Sequence, residues 1–460
     1  MGATPSDRSG YERLRRAHLH AVHAALESHV ERVDWPRERL ERYRTERLRA
    51  LLAYARARSP FHAARMSDLD PNTATAADLV RVPPMTKEQA QAQWDAIITV
   101  PQLDHAGAER ILAEQRWFSY TPTGEQVFSS GGSSGVRGVY VWDWQLFVSL
   151  ACLAWRMQAR ARSSAEREGA RLVVLEAAEP PHASTPLFDV PTTADCATVV
   201  VGAGDPFEEV VAAVARAEPT EIVGYASVVG RLARTTLAGE LDVRPARVST
   251  NSEPLSAEDR DAIAAAWGAQ IHNLWGSTEI GVQAVGCGHG EGLHVCEDEV
   301  ILERVDESGH PVAPDAPAAR TLATGLANYT FPFIRYDLGD EVTLLEGLCP
   351  CGSPLVRVAD IAGRSDDDFI YDAHTIPASA FRYVLGTDPW ISEYQVLQTR
   401  GGAEVLVVGT PDLGAVTAGL EAAVRKHGFA NPEIRVRAVT RIERHATTGK
   451  LRRFVPLRGA

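Results

Sequence analysis

The sequence predicts an α/β protein: a large N-terminal region with doubly wound, mostly parallel sheets and a β-rich subdomain, then a small mobile α+β C-terminal domain. Two observations carry this reading. Between residues 145 and 275 short apolar runs alternate with amphipathic segments, the pattern of strands joined by crossover helices. Beyond residue 293 strand-like runs dominate, and after the acids Asp366-Asp367-Asp368 a separate β–α–β pattern begins. The expected boundary lies at GRSDDD (363–368), which divides the chain into 1–363 and 364–460.

The elements follow in order. Residues 36–58 place Leu40, Tyr43, Leu48, Leu51, Leu52 and Ala55 at helical spacing, with Asp34 and Pro36 where a cap and a first-turn proline belong. The chain then reads as irregular up to VPPMTKEQAQAQW, where Thr86 caps another predicted helix. Helices are expected at 145–162, 206–219, 227–239 and 256–268. Strands are expected at 171–177, 198–204, 221–225, 247–250 and 270–275. In open sheets of this kind ligands bind beyond the C-terminal ends of the strands. That rule marks the loops at Ser252-Glu253 and Trp275-Gly276. VCEDEVILERV, IRYDLGDEV and PLVRVADIAG supply the β-rich region. EYQVLQT, EVLVVG, AVTAGLEAAVRKHG and EIRVRAVTRIE supply the last unit, and no internal repeat is visible.

Charge and hydropathy exclude several classes. The formal net charge is −13 with Lys and Arg scattered, unlike the clustered positive surface that nucleic acid or an anionic membrane requires. No stretch approaches the roughly 18 apolar residues of a membrane span. The N-terminus lacks the apolar core of a signal peptide, so a cytosolic protein is expected. The six cysteines do not form a disulfide framework. Cys152 and Cys196 stand in apolar surroundings as buried thiols, whereas Cys287, Cys296, Cys349 and Cys351 fall in one region.

Residues 128–140 read FSSGGSSGVRGVY. Gly/Ser tracts serve as flexible linkers, but backbone N–H groups in tight Gly-rich turns also form anion-binding concavities. The tract matches neither G-x-x-x-x-G-K-[ST] nor G-x-G-x-x-G, and it sits between an expected strand and a long helix. A phosphate held there needs a cation from elsewhere. Four further stretches accompany it: NLWGSTEIG (273–281), RYDLGDEV (335–342), GRSDDD (363–368) and TTGKLRRF (447–454). Each is weak alone, and their order and spacing make the signal.

That ordered set resembles the adenylate-forming superfamily of acyl- and aryl-CoA synthetases, and within it the phenylacetate–CoA ligase branch. SPFH (59–62), VPPMTKEQ (82–89), GYASVVGRLA (224–233) and TNSEPLS (250–256) extend the resemblance nearly end to end. It implies an enzyme in which a carboxylate attacks the α-phosphorus of ATP, giving an acyl-adenylate and pyrophosphate, and the acyl group then passes to CoA. Ser129, Ser130, Gly131, Gly132, Ser133, Ser134 and Gly135 would hold the β- and γ-phosphates. Thr278 would contact the α-phosphate, Glu279 would bind Mg²⁺, and Glu253, Trp275, Gly276 and Ser277 would complete the nucleotide site. Asp340 would bind the ribose hydroxyls with Arg364 nearby, and Lys450 would be the catalytic cation, making Lys450→Ala inactive in adenylation but folded. Asp366 matches the hinge about which the C-terminal domain rotates. Tyr225, Phe128 and Gly281 would line the acid's pocket, together with Trp275.

The sequence departs from the pattern after the hinge. CoA-using relatives carry a Gly-containing loop there, while this chain reads DDDFIYDAHTIPASAF with no glycine. Transfer to an amine or another nucleophile is therefore an alternative to CoA. A third reading, an idle nucleotide-binding protein, conflicts with the presence of Thr278, Glu279, Asp340 and Lys450. Cys349-Pro350-Cys351 and GCGHGEGLHVC (286–296) offer four sulfur or nitrogen donors, which suits a tetrahedral structural Zn²⁺. The resemblance points to Cys287, His294, Cys349 and Cys351; His289 or Cys296 could replace one. The expected partners are a small carboxylic acid, ATP and CoA, with no nucleic acid and no membrane. A homodimer is compatible with the sequence but not readable from it.

Overall fold

The computed structural model describes residues 8–457 except 116–119, 131–137, 162–168, 177–182, 191–195, 314–315, 362–366, 372–373, 377, 387, 389 and 445–450. Two long helices lead the chain, α1 (Arg8–Arg32) and α2 (Arg37–Arg58). The periodicity of α2 is met: Leu40, Leu48, Leu51, Leu52 and Ala55 are buried. Its start differs, since Pro36 is itself the N-cap and no side chain caps the helix. The stretch read as irregular contains α3 (Pro60–Arg65), capped by Ser59, and a 3-10 turn at Ala76–Arg81. Then come α4 (Lys87–Ala92), α5 (Trp94–Ile97) and α6 (His105–Glu114). Thr86 caps α4 in a reciprocal box with Gln89.

The Gly/Ser tract does not lead directly into a helix. It joins β1 (Gln126–Ser130) to β2 (Gly138–Trp142), an antiparallel hairpin outside the main sheet. Helix α7 (Trp144–Ala161) follows, almost wholly buried from Leu146 onward. Next come β3 (Arg171–Glu176), α8 (Ser184–Phe188), β4 (Ala197–Gly202), α9 (Phe207–Ala217), β5 (Glu221–Tyr225) and α10 (Ala226–Leu237). The alternation closes with β6 (Arg247–Asn251), α11 (Ala257–Trp267) and β7 (Gln270–Ser277). Every expected strand and helix of this stretch is present.

Strands β4, β3, β5, β6 and β7 pair in parallel in that order. Helices cover both faces. Leu172, Val174 and Val223 meet α1, α7 and α8, whereas Val173, Leu175, Ile222 and Val248 meet α9, α10 and α11. The sheet continues antiparallel through β8 (Gly281–Val285) and β9 (Leu293–Val295). It is a nine-stranded sheet, parallel in one half and antiparallel in the other. A three-stranded sheet holds β10 (Val300–Val305), β11 (Arg320–Gly325) and β12 (Tyr336–Asp337). Strands β13 (Leu344–Leu345) and β14 (Arg357–Val358) edge the large sheet next to β9.

The run VCEDEVILERV is not one strand. Residues 296–299 turn between β9 and β10, because each of their three acids is drawn to helical arginines. Arg156 of α7 grips Asp298 with two bonds of 2.9 and 2.8 Å, both side chains 1% exposed. Arg32 and Arg47 bind Glu299, and Arg37 and Arg44 bind Glu297. Removing one partner of such a buried pair costs about 3–5 kcal/mol, since the other charge is left uncompensated. His29 joins Asp298 and Glu299, but the surrounding guanidinium groups already neutralise these acids.

The last unit holds β15 (Phe369–Tyr371), β16 (His374–Ile376), α12 (Ala378–Gly386), β17 (Ile391–Thr399), β18 (Gly402–Gly409), α13 (Leu413–Lys426), β19 (Glu433–Ala438) and β20 (Phe454–Val455). Its four-stranded sheet runs β19-β18-β17-β20, and its core, from Phe369 to Phe454, is separate from the others. Helices α1, α3, α5, α6, α8 and α12 went unread in the sequence. Among the described residues no helix is long and apolar enough to cross a membrane. Cys152 is buried as expected; Cys196 is only partly so.

Candidate active site

Strand β7 ends in an irregularity between Trp275 and Gly276, after which Thr278-Glu279 turn into β8. The Ser277 hydroxyl holds this turn, accepting from Ile280 N at 3.2 Å and Gln283 Nε2 at 3.1 Å. Gly281 completes it with φ +90°, and a side chain there would run into Leu150 of α7. Only glycine meets both demands.

The turn presents Glu279, which is buried, to two phenols. Tyr140 of β2 donates to Glu279 Oε1 at 2.7 Å and Tyr336 of β12 donates to the same oxygen at 3.1 Å. Burial and the nearby Glu279 raise Tyr140 well above the ordinary tyrosine range, so it stays a donor. Trp142, also of β2, donates from Nε1 to Thr278 O at 3.0 Å. The hairpin that carries the Gly/Ser tract is thereby fastened to the Thr278-Glu279 turn.

At the other end of β1, Lys87 Nζ donates to Ser130 Oγ at 3.1 Å. Helix α4 holds this lysine in place, since Gln91 accepts from Val139 N and the neighbouring Trp94 indole donates to Val139 O. VPPMTKEQ thus brings a lysine to Ser130, the last described residue before the Gly/Ser tract. Trp275 Nε1 donates to Asp340 Oδ2 at 2.8 Å, which fixes one carboxylate oxygen of Asp340.

After β6, Ser252 takes the left-handed conformation at φ +62°, an uncommon choice for serine. It turns the chain so that Glu253 Oε2 accepts from Ser227 N at 3.0 Å and Oε1 from Leu451 N at 2.8 Å. Tyr225, Phe128 and Trp275 are each buried in a different hydrophobic cluster. Phe128 packs on Trp142, with ring centroids 4.7 Å apart. Gly131, Gly132, Ser133, Ser134, Gly135, Arg364, Asp366 and Lys450 lie outside the described residues.

No protein-family profile matches the chain. Among curated proteins, a phenylacetate–coenzyme A ligase of Thermus thermophilus is 29% identical over 156 residues, 33% of this chain. The match spans 35% of that enzyme's length. Among solved structures, a 2-hydroxyisobutyryl-CoA ligase in the postadenylation state overlays with a TM-score of 0.73 at 18% identity, covering 93% of this chain and 91% of that one. The chain has the adenylate-forming ligase fold. The same enzyme in its thioesterification state overlays at 0.61 with 18% identity, over 92% of this chain and 91% of that one. An anthranilate CoA ligase with bound anthranoyl-AMP overlays at 0.50 with 16% identity, over 70% and 64%.

Within this adenylate-forming fold a second cluster lies at the antiparallel end of the large sheet. Donor atoms of Cys287, His294, Cys349 and Cys351 all lie within 4.8 Å of one another. Cys287 Sγ and Cys349 Sγ are 3.5 Å apart, and Cys351 Sγ is 3.4 Å from His294 Nε2. A tetrahedral zinc with bonds of about 2.3 Å to sulfur and 2.0 Å to nitrogen needs edges of about 3.5–3.8 Å, so the donors fit the ion. Burial pushes Cys287 up to about 12. The same burial acts on Cys349, but the Cys351 amide and thiol hold it low, making Cys349 the readier thiolate. Burial also lowers His294 to about 4, which leaves the ring neutral and able to ligate. His289 is exposed, and Cys296 is fully buried beside Arg156 and Asp298, so neither alternative joins the set. Sequence spacing could not make this choice.

Proposed function

We propose that the protein activates a carboxylic acid, aromatic in class, as an acyl-adenylate and transfers the acyl group to CoA. The observation that carries this is the Tyr140–Glu279 bond, which ties the hairpin of the Gly/Ser tract to a buried carboxylate whose Oε2 has no hydrogen-bond partner among the described residues. Two anions meet in such a reaction, so charge neutralisation and positioning supply most of the rate. In the first step a substrate carboxylate oxygen bonds to the α-phosphorus while the α–β bridging P–O bond breaks and pyrophosphate leaves. In the second the CoA sulfur bonds to the acyl carbon, AMP leaves and the thiol proton is lost.

In this reading Ser129–Gly135 and Lys87 hold the outer phosphates, Thr278 faces the α-phosphate, and Asp340 takes the ribose with Trp275 steadying it. Glu279 Oε2 would hold Mg²⁺, which supplies charge neutralisation to the phosphates. Lys450 supplies the cation from the C-terminal unit, and Arg364 and Asp366 serve the sugar and the hinge. The working units are 1–363 and 364–460, in a cytosolic protein. Zn²⁺ on Cys287, His294, Cys349 and Cys351 would be structural, clamping β8 and β9 to the loop before β14. The aromatic class is supported by the names of the phenylacetate and anthranilate ligases.

The missing post-hinge glycine favours one alternative, transfer of the same adenylate to an amine. AMP release from ATP and Mg²⁺ over a panel of aryl and alkyl acids, with and without CoA, tests both. Release that depends on one aryl acid and rises sharply with CoA is expected. Acid-dependent release indifferent to CoA moves the acceptor to an amine, and release with no acid in the panel overturns the adenylation reading.

A further inference from the structure

Among the described residues, polar contacts from Arg444, Leu451 and Arg453 join the C-terminal unit to the large region and bracket one short stretch of chain. Arg444 donates to Ser227 Oγ at 3.0 Å and to Glu393 at 2.6 Å. Leu451 N donates to Glu253 Oε1 at 2.8 Å. Arg453 donates to Asp259 Oδ2 at 3.0 Å. Residues 445–450, which end in Lys450, lie between these anchors in sequence.

Asp259 is built to receive. It sits in the first turn of α11, where Ser256 caps the helix by accepting from Asp259 N and also donates to Oδ2. Its other oxygen accepts from Arg234 of α10 at 2.8 Å, and its side chain is 1% exposed. These partners all belong to the large region, so the carboxylate stays oriented whether or not the C-terminal unit is present. On the other side, Arg453 lies 4.9 Å over the Tyr394 ring, and its carbonyl accepts from Val396 N of β17. The guanidinium is thus fixed to the C-terminal sheet. Among the described residues the interface is polar and the hydrophobic cluster of the C-terminal unit is separate from those of the large region, which suits docking that must also release.

We propose that Asp259 and Arg453 are positioning residues that dock the C-terminal unit on the large region for adenylation, and take no part in thioester formation. This rests on the adenylate-forming reading above. Neither residue belongs to the proposed reacting groups; each acts through the placement of the C-terminal unit.

Two half-reactions separate the role from a general defect. One is carboxylate-dependent pyrophosphate–ATP exchange; the other is thioester formation from CoA and a chemically made acyl-adenylate. Arg453→Met and Asp259→Asn, made on opposite sides of the interface, are each expected to slow exchange roughly 5- to 150-fold, the span of ordinary coupling energies. Thioester formation should be unchanged or faster, and Arg453→Lys should restore part of the exchange. Parallel loss in both half-reactions, or no loss in either, overturns the proposal. Hydrogen exchange of the 444–457 segment gives a readout that needs no activity. Faster exchange at Leu451 in Arg453→Met supports docking, and unchanged exchange sinks it even if no acid proves to be a substrate.

Discussion

Tyr140 and Glu279 stand 139 positions apart in the chain and share a 2.7 Å hydrogen bond inside the protein. Because Tyr336 donates to the same oxygen, Oε1 is occupied, and in the proposed function Oε2 is the oxygen that would take the cation. Tyr140→Phe should therefore weaken the hold on the carboxylate without changing its charge. The expected result is a several-fold higher Mg²⁺ requirement for pyrophosphate exchange, with about a tenfold loss of rate when Tyr336→Phe is added. An unchanged Mg²⁺ dependence in the double variant would falsify the clamp.

Lys87 tests the phosphate loop. A charge-assisted bond to a phosphate is about twice as strong as a neutral one, so Lys87→Met should raise the KM for ATP about 10- to 100-fold. The KM for the acid should hardly move. An ATP KM equal to wild type, measured at saturating acid, would place the phosphates away from Ser130.

The cysteine cluster predicts about one zinc per chain in gently purified protein, read by elemental analysis. Chelation or Cys349→Ser should lower Tm by several degrees, because metal-binding energy is folding energy in such sites. Adenylation per folded molecule should be retained. Zinc well below one equivalent, together with a Tm indifferent to chelator, would return these residues to plain reduced thiols.

His62 makes the fold sensitive to acid. Its ring is buried, with Nδ1 accepting from Arg65 and Nε2 donating to Pro332 O, which fixes the neutral tautomer. Burial, with the Arg65 charge beside it, lowers its pKa to about 3. The unfolded chain takes up the proton first, near pH 6.5. Stability is therefore full above that pH and falls between about 6.5 and 3, by an amount on the order of a few kcal/mol. His62→Gln should flatten the loss of denaturation midpoint between pH 7 and pH 5. A slope identical to wild type would assign the acid sensitivity to other groups.

Some of this was legible in one dimension and some was not. The alternating helices and strands from Trp144 to Ser277 were readable because their apolar periodicity is local. Helix α1 was missed because its apolar stripe is thin, with Val22 among its few deeply buried positions. The turn at 296–299, inside a run that reads only as β-rich, was not legible because its cause, arginines on α1, α2 and α7, lies more than a hundred residues away. Tyr140, Tyr336 and Lys87 stood inside motifs already noticed, but nothing in the sequence said what their side chains would meet.

By itself, then, the sequence determined the order of the elements, the Gly/Ser tract with its Thr-Glu and Gly-Asp turns, and a stock of sulfur and imidazole donors. These depend on neighbours a few residues apart. Only the tertiary structure decided which four donors converge, which oxygen of Glu279 is covered, and that Arg453 meets Asp259 across 194 positions. Such pairings follow from how sheets and helices pack, and packing is set by the whole chain at once.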